Sequence, residues 1–136
     1  MSLNIYEAFE SNPIVDEAKE FPLGESSGIK LRPLSGTTSR RGFDKLMEPY
    51  SVRLNAGGSL TEAENKALNA RFYATYIIAG WHGLTDSEGK DIEYSPERAE
   101  ALLLDPKLER LFSIVIKIAA DEDSFRTART EDDAGN

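Results

Sequence analysis

Two short runs of alternating apolar and polar residues precede the helical part of the chain. They are Phe21-Pro22-Leu23 and residues 29–34, and the connection between them, Gly24–Gly28, is rich in glycine and serine. This arrangement predicts a β-hairpin. The prolines predict edge positions for both runs, because proline donates no backbone hydrogen bond. Residues 1–20 carry five acidic side chains and one lysine, and we interpret them as an acidic N-terminal arm.

An amphipathic helix is predicted after the hairpin. Its apolar side chains recur at intervals of three and four residues, as on one face of a helix. They are Phe43, Leu46, Met47, Tyr50 and Leu54. Pro49 is expected to end or kink this helix near Glu48, because its ring clashes with the preceding turn.

The most buried helix is predicted to run from Thr61 through Ile78. Thr61 and Glu64 have the spacing of a capping box, in which each side chain satisfies a backbone amide of the other residue. The second half of this segment is apolar almost all round, which is typical of a buried helix. Gly80 is the expected C-terminal stop, and Trp81 is interpreted as an anchor in or beside the core.

Two further helix starts carry a capping residue followed by proline, Ser95-Pro96 and Asp105-Pro106. The apolar stripe of the last helix extends to Phe125. The predicted fold class is therefore mainly α with a minor β part (α+β minor). It is a compact domain of three to four helices with a short N-terminal β-hairpin, spanning residues 21–125. Residues 126–136 are predicted to form a charged C-terminal tail.

Composition narrows the functional classes. The 136 residues include 16 Lys and Arg against 24 Asp and Glu, a net charge of −8, which argues against nucleic-acid binding through a broad basic face. No run approaches the roughly 20 apolar residues of a membrane span. The absence of cysteine excludes disulfides and thiolate metal sites, and it fits a cytosolic protein.

Candidate metal and catalytic sites give weak signals. Residues 86–97 have the length of a calcium loop, but Asp91 stands where glycine is required and Lys90 occupies a ligand position. His82 is the only histidine, so with no cysteine it cannot complete a common zinc site. A Ser-His-Asp triad would have to use this same residue, which we interpret as a surface or capping residue at the end of a helix. We expect no cofactor, no metal site and no enzymatic activity.

Two surface features leave alternatives open. The basic stretch Arg40, Arg41 and Lys45 is either a solvated helix end, which we favour, or a receiver for an acidic partner or for the protein's own acidic arm. The apolar stripe that starts at Phe43 either forms a third wall of the core, again the favoured interpretation, or remains partly exposed as a groove for a helix of another chain. The candidate partner-binding residues are Phe43, Leu46, Met47 and Tyr50.

The order of motifs from Ile77 to Glu97 resembles the tail assembly chaperones of long-tailed (non-contractile) bacteriophages. In that family a helix ends in a Gly-Trp-x-Gly element, here residues 80–83. A turn with Asp and Gly follows, and then an aromatic-Ser-Pro-Glu helix start, here residues 94–97. The later Asp105-Pro106 element and the N-terminal hairpin also match, so the resemblance covers roughly residues 20–130.

The resemblance implies a protein of the host cytoplasm that is absent from the mature virion. Such a protein binds the tape measure protein and keeps it soluble until the tail tube polymerises. The resemblance also implies a programmed frameshift that yields a minor extended form able to recruit the tail tube protein, and the acidic residues 131–136 suit that junction. Because many weak copies along one client gain from avidity, we expect a homo-oligomer.

Two other functional interpretations remain open from the sequence. One is a structural component of the neck or tail, which would be retained in purified particles. The other is an unrelated small acidic chaperone or adaptor, which would not require a phage gene neighbourhood.

Overall fold

The computed structural model describes residues 2–127. The predicted tail residues 128–136, including the acidic stretch 131–136, lie outside the described residues. Helix α1 (Ile5–Phe9) opens the chain. The hairpin strands β1 (Lys19–Gly24) and β2 (Ser27–Leu31) follow, and then α2 (Thr37–Met47). A 3-10 turn at Glu48–Tyr50 leads into α3 (Ser51–Asn55).

The rest of the described chain adds three helices and a third strand. Helix α4 (Glu62–Phe72) continues into a π-helical turn at Tyr73–Ile77 and then into strand β3 (Ile78–His82). Helix α5 (Pro96–Leu104) is joined by the 3-10 turn Pro106–Leu108 to α6 (Glu109–Ala120). A final 3-10 turn covers Glu122–Phe125. Among residues 2–127 the fold is mainly helical, with one small antiparallel sheet.

The predicted hairpin is confirmed, with Glu25 and Ser26 as its turn. Register places Phe21 opposite Ile29 and Gly24 opposite Ser27. The expected edge position holds for β1, but it is wrong for β2, which is the central strand of the order β1-β2-β3. Pro33 does not prevent this arrangement, because it lies beyond the end of β2.

The third strand corrects the prediction of a helix that runs through Ile78. The α-helix ends at Phe72, and Ile78–His82 pairs antiparallel with β2, with Ile78 opposite Leu31 and Trp81 opposite Ile29. An all-apolar stretch has no helical or strand period to distinguish the two states. The backbone N–H and C=O groups on the open edge of β2 form hydrogen bonds with this segment. A longer helix would leave those groups of β2 unpaired.

Several predicted helix starts and stops are confirmed, but two are wrong. Gly80 lies within strand β3 and ends no helix, and the last α-helix ends at Ala120, so Phe125 belongs to a separate 3-10 turn. Helix α2 ends at Met47, immediately before the turn that contains Pro49. The Thr61 hydroxyl accepts a hydrogen bond from the Glu64 amide at 3.1 Å, and the Glu64 carboxylate accepts one from the Thr61 amide at 2.9 Å. Ser95 likewise caps α5, where its hydroxyl accepts from the Arg98 amide at 3.0 Å.

The core lies where the sheet meets the C-terminal helices. Strand β2 contributes Ile29 and Leu31, which are 1% and 0% exposed. The π turn and β3 contribute Ile77 and Ile78, and these pack with side chains of α5, α6 and the last turn, which are Ala99, Leu103, Val115, Ala119 and Phe125.

The segment before the hairpin is hydrogen-bonded to the C-terminal end of the domain. Ile14 and Arg126 form an isolated antiparallel bridge. Beside this bridge, the Val15 amide donates to the Phe125 carbonyl at 2.7 Å, and the Thr127 amide donates to the Pro13 carbonyl at 2.9 Å. Residues 13–15 therefore run antiparallel to residues 125–127, which include the buried Phe125.

Candidate functional site

The fully buried residues of helix α2 are small, and none of them belongs to its apolar stripe. Ser39 and Gly42 are its buried residues. The Ser39 hydroxyl donates to the Pro33 carbonyl at 2.7 Å. Gly42 lies against the ring of Tyr76, and a Cβ at position 42 would overlap that ring. This close approach turns the larger apolar side chains of α2 toward its flanks.

The flank that carries Phe43 borders an open cavity of about 340 Å³ between α2 and α4. Phe43 is 37% exposed, and its ring meets that of the buried Phe72 edge to face at 5.4 Å. Tyr73 adds a third aromatic ring, and the other lining residues are Leu34, Ser39, Arg40, Asp44 and Asn69. Burial raises the pKa of the Tyr73 phenol, which favours its neutral form.

The other flank borders a second cavity of about 310 Å³. Leu46 and Tyr50 line it from α2 and the 3-10 turn, and Leu68 and Arg71 line it from α4. Leu46 also packs against the buried core cluster. We call the lining residues of these two cavities the α2–α4 surface.

The four candidate partner-binding residues are thus only partly brought together. Phe43 lines the first cavity and Leu46 and Tyr50 line the second, whereas Met47 is half-buried and lines neither. Sequence reasoning missed the contribution of α4, namely Leu68 and Phe72. A glycine inside a predicted helix, Gly42, was the available signal that another element approaches closely there.

The charges on α2 make this part of the molecule locally positive. Arg40, Arg41 and Lys45 are exposed, and Asp44 is the one acidic residue of the helix. Among residues 2–127, no carboxylate lies within 4 Å of these three cations. The N-terminal arm contacts a different part of α2, where the Asp16 carboxylate accepts from the Thr38 amide at 2.9 Å and from the Thr38 hydroxyl at 3.0 Å.

The other residues singled out from the sequence have structural partners. His82 Nε2 lies 3.0 Å from a Glu20 carboxylate oxygen, and both side chains are about half exposed. Trp81 donates from its indole nitrogen to the Ile92 carbonyl at 2.7 Å, and its ring packs edge to face on Tyr94 at 5.0 Å. Tyr94 in turn donates to the Ile78 carbonyl at 2.9 Å.

The segment with calcium-loop length forms a closed turn. One Asp86 carboxylate oxygen accepts from the amides of Glu88 and Lys90, at 2.8 and 3.0 Å. Gly89 adopts φ +82°, a conformation that favours glycine. Within residues 2–127, no group of three or more potential ligand side chains is placed to hold a metal ion.

Comparison with known families gives the origin of the chain. The model of the YdaY prophage protein family matches residues 34–136, which include α2, the α2–α4 surface and the C-terminal helices. The chain belongs to the YdaY prophage protein family. Its phage origin agrees with the resemblance to phage proteins, while the family description does not specify a tail assembly chaperone. No curated protein and no solved structure matches the chain.

One general property of the helices can be stated beside this assignment. None of the helices described between residues 2 and 127 is long and apolar enough to span a membrane.

Proposed function

We propose that this prophage protein is a tail assembly chaperone, which binds the tape measure protein and keeps it soluble until the tail tube polymerises. The observation that carries the proposal is the α2–α4 surface, where Phe43 and Tyr50 border open cavities lined by apolar side chains of α4. A surface of this kind accepts an amphipathic helix through apolar contacts at helical spacing. A long helical client offers such a face many times.

The charge of the chain supports the same role. A net charge of −8 keeps a complex with an aggregation-prone client soluble through mutual repulsion. The positive charges of α2 are local and lie beside the apolar site, so they orient a client through its acidic side chains. In this proposal the chaperone acts in the host cytoplasm and is absent from the mature virion. A frameshifted extended form recruits the tail tube protein.

The first test is co-expression of the full chain with the long helical protein encoded downstream. We expect the client to be recovered in the soluble fraction and to co-purify only when this protein is present. Phe43→Ser should lower the recovered client about tenfold, the scale of losing one apolar hot spot. Val52→Ser is the matched control, because Val52 is apolar, 81% exposed and outside the α2–α4 surface.

Two results would overturn the proposal. One is a client that is soluble without this protein, or that remains insoluble and unbound in its presence. The other is equal client recovery with Phe43→Ser and Val52→Ser, provided that circular dichroism shows both variants folded. Immunoblotting of purified particles separates the alternative role, since a structural neck or tail component would be retained there.

A further inference from the structure

Residues 3–9, which include helix α1, carry a cluster of large apolar side chains that is exposed among the described residues 2–127. The exposed fractions of these side chains are 59–74%, and every residue from Ser2 to Glu10 is exposed. The cluster consists of Leu3, Ile5, Tyr6 and Phe9. A helix of five residues is marginal in water without packing. Such a segment gains stability when its apolar side chains enter a groove of a partner.

The α2–α4 surface has the complementary chemistry. Its cavity beside Phe43 is aromatic and open, and α2 carries three cations against one carboxylate, Asp44. Helix α1 carries Glu7, and Glu10 follows it, with no basic side chain before Lys19. An apolar acidic segment and an apolar basic surface therefore occur in one chain, and both are uncovered. Opposite charges of this kind select the partner and its orientation.

We propose that α1 of one copy docks on the α2–α4 surface of a second copy, with Tyr6 and Phe9 entering the cavity beside Phe43. The exposed part of the arm ends at Asn12, which is hydrogen-bonded to Arg126 and Thr127 at the end of the domain. Because residues 2–10 are exposed throughout among the described residues 2–127, we assign the docking segment to another molecule. In a symmetric dimer each copy docks its α1 on the other copy, so the dimer contains the contact twice. We call this reciprocal docking the exchange.

The exchange also affects how the protein binds its client. Because α1 and an amphipathic client would use the same cavity, self-association and client binding compete; this consequence alone rests on the proposed function. The arm then protects the apolar surface until a client displaces it.

Sedimentation equilibrium of the full chain tests the exchange directly. We expect dimers in the native protein and about tenfold or greater weakening of the dimer in Phe9→Ser, the scale of losing an apolar anchor. Phe9 is 74% exposed, so this variant should fold normally. Ile116→Ser is the matched control, because Ile116 is an exposed apolar residue of α6, away from the α2–α4 surface. It should leave the dimer unchanged.

Disulfide trapping identifies the contact, since the chain has no cysteine of its own. Chains with Glu10→Cys are mixed with chains carrying Asp44→Cys, a residue that lines the cavity beside Phe43. A disulfide between the two different chains is expected. Ser113→Cys, on the exposed side of α6, serves as the control acceptor and should cross-link far less.

Several outcomes would overturn the exchange: a monomer at all concentrations, a Phe9→Ser dimer of native strength, or equal cross-linking to Ser113→Cys. A disulfide formed only within one chain carrying both Glu10→Cys and Asp44→Cys would show that the arm folds back on its own domain. Client recovery is measured separately. Loss of the dimer in Phe9→Ser without any client binding would support the exchange and refute the proposed function.

Discussion

Gly42 determines how closely α2 approaches the rest of the domain. The ring of Tyr76 occupies the space that a side chain at position 42 would need. Ser39, one turn earlier, is fully buried and donates its hydroxyl to the Pro33 carbonyl. These two small residues bring the helix close to the core, and in consequence Phe43 and Leu46 border open cavities on the flanks.

Gly42→Ala should destabilise the protein, although alanine is normally the better helix residue by about 1 kcal/mol. The added Cβ would overlap the Tyr76 ring, and forced overpacking typically costs about 1–3 kcal/mol, so we expect a net loss of about 1 kcal/mol in the free energy of unfolding. Urea unfolding measures it. In a double-mutant cycle with Tyr76→Ala, most of this loss should disappear. Additive effects of the two substitutions would show that the Tyr76 ring does not limit how closely α2 approaches the domain.

At the scale of elements, the predictable parts were those with a local chemical cause. The capping box at Thr61, the Ser95-Pro96 start and the break at Pro49 depend on neighbouring residues, and all three are confirmed. Strand β3 depends instead on β2, which lies far away in sequence. An apolar run from Phe72 to Ile78 fits either a helix or a strand, so only the pairing of Ile78 with Leu31 decides between them.

The candidate functional site was likewise predictable only where its residues follow a local pattern. The apolar stripe of α2 named Phe43, which is exposed, and Tyr50, which is half-buried. It did not reveal that Leu68 and Phe72 of another helix line the same cavities. A helical period gives the direction of a face, but the residues opposite that face follow from tertiary packing.

The start of α4 carries a charge network with a defined pH dependence. Arg53 donates from its two terminal nitrogens to the Glu64 carboxylate, at 3.0 and 2.6 Å. The bond from Arg53, followed by that from the Thr61 amide, lowers the pKa of Glu64 from its ordinary 4.5 to about 2. Between about pH 4.5 and 2 the unfolded chain therefore binds a proton that the folded chain does not.

We expect the contribution of Glu64 to stability to be complete above about pH 4.5 and to be lost as the pH falls toward 2. Glu64→Gln should be less stable than the native protein at pH 7, and the difference should shrink as the pH falls from 4.5 to 2. Urea unfolding at several pH values measures this, with Glu62→Gln in the same helical turn as control. A constant difference between the two curves would contradict the assignment.

At the scale of the whole molecule, the N-terminal segment has two parts with different roles. Residues 12–16 are bound to the domain. Asn12, Pro13 and Val15 form hydrogen bonds with residues 125–127, and the Asp16 carboxylate accepts hydrogen bonds from Thr38. Residues 2–10 are exposed throughout. Composition alone described residues 1–20 as one acidic arm, because both parts carry acidic side chains. The structure also shortens this arm, since β1 already begins at Lys19.

Two truncations should separate these parts. Removal of residues 2–10 should change the free energy of unfolding by less than about 0.5 kcal/mol, as expected for exposed residues, while it abolishes the dimer. Removal of residues 2–17 also deletes several hydrogen bonds, each worth about 0.5–1.5 kcal/mol, so we expect a loss of about 2–4 kcal/mol. Urea unfolding at low protein concentration measures both, because there the dimer makes no contribution. Equal stability of the two truncated proteins would show that residues 12–16 only lie along the domain without stabilising it.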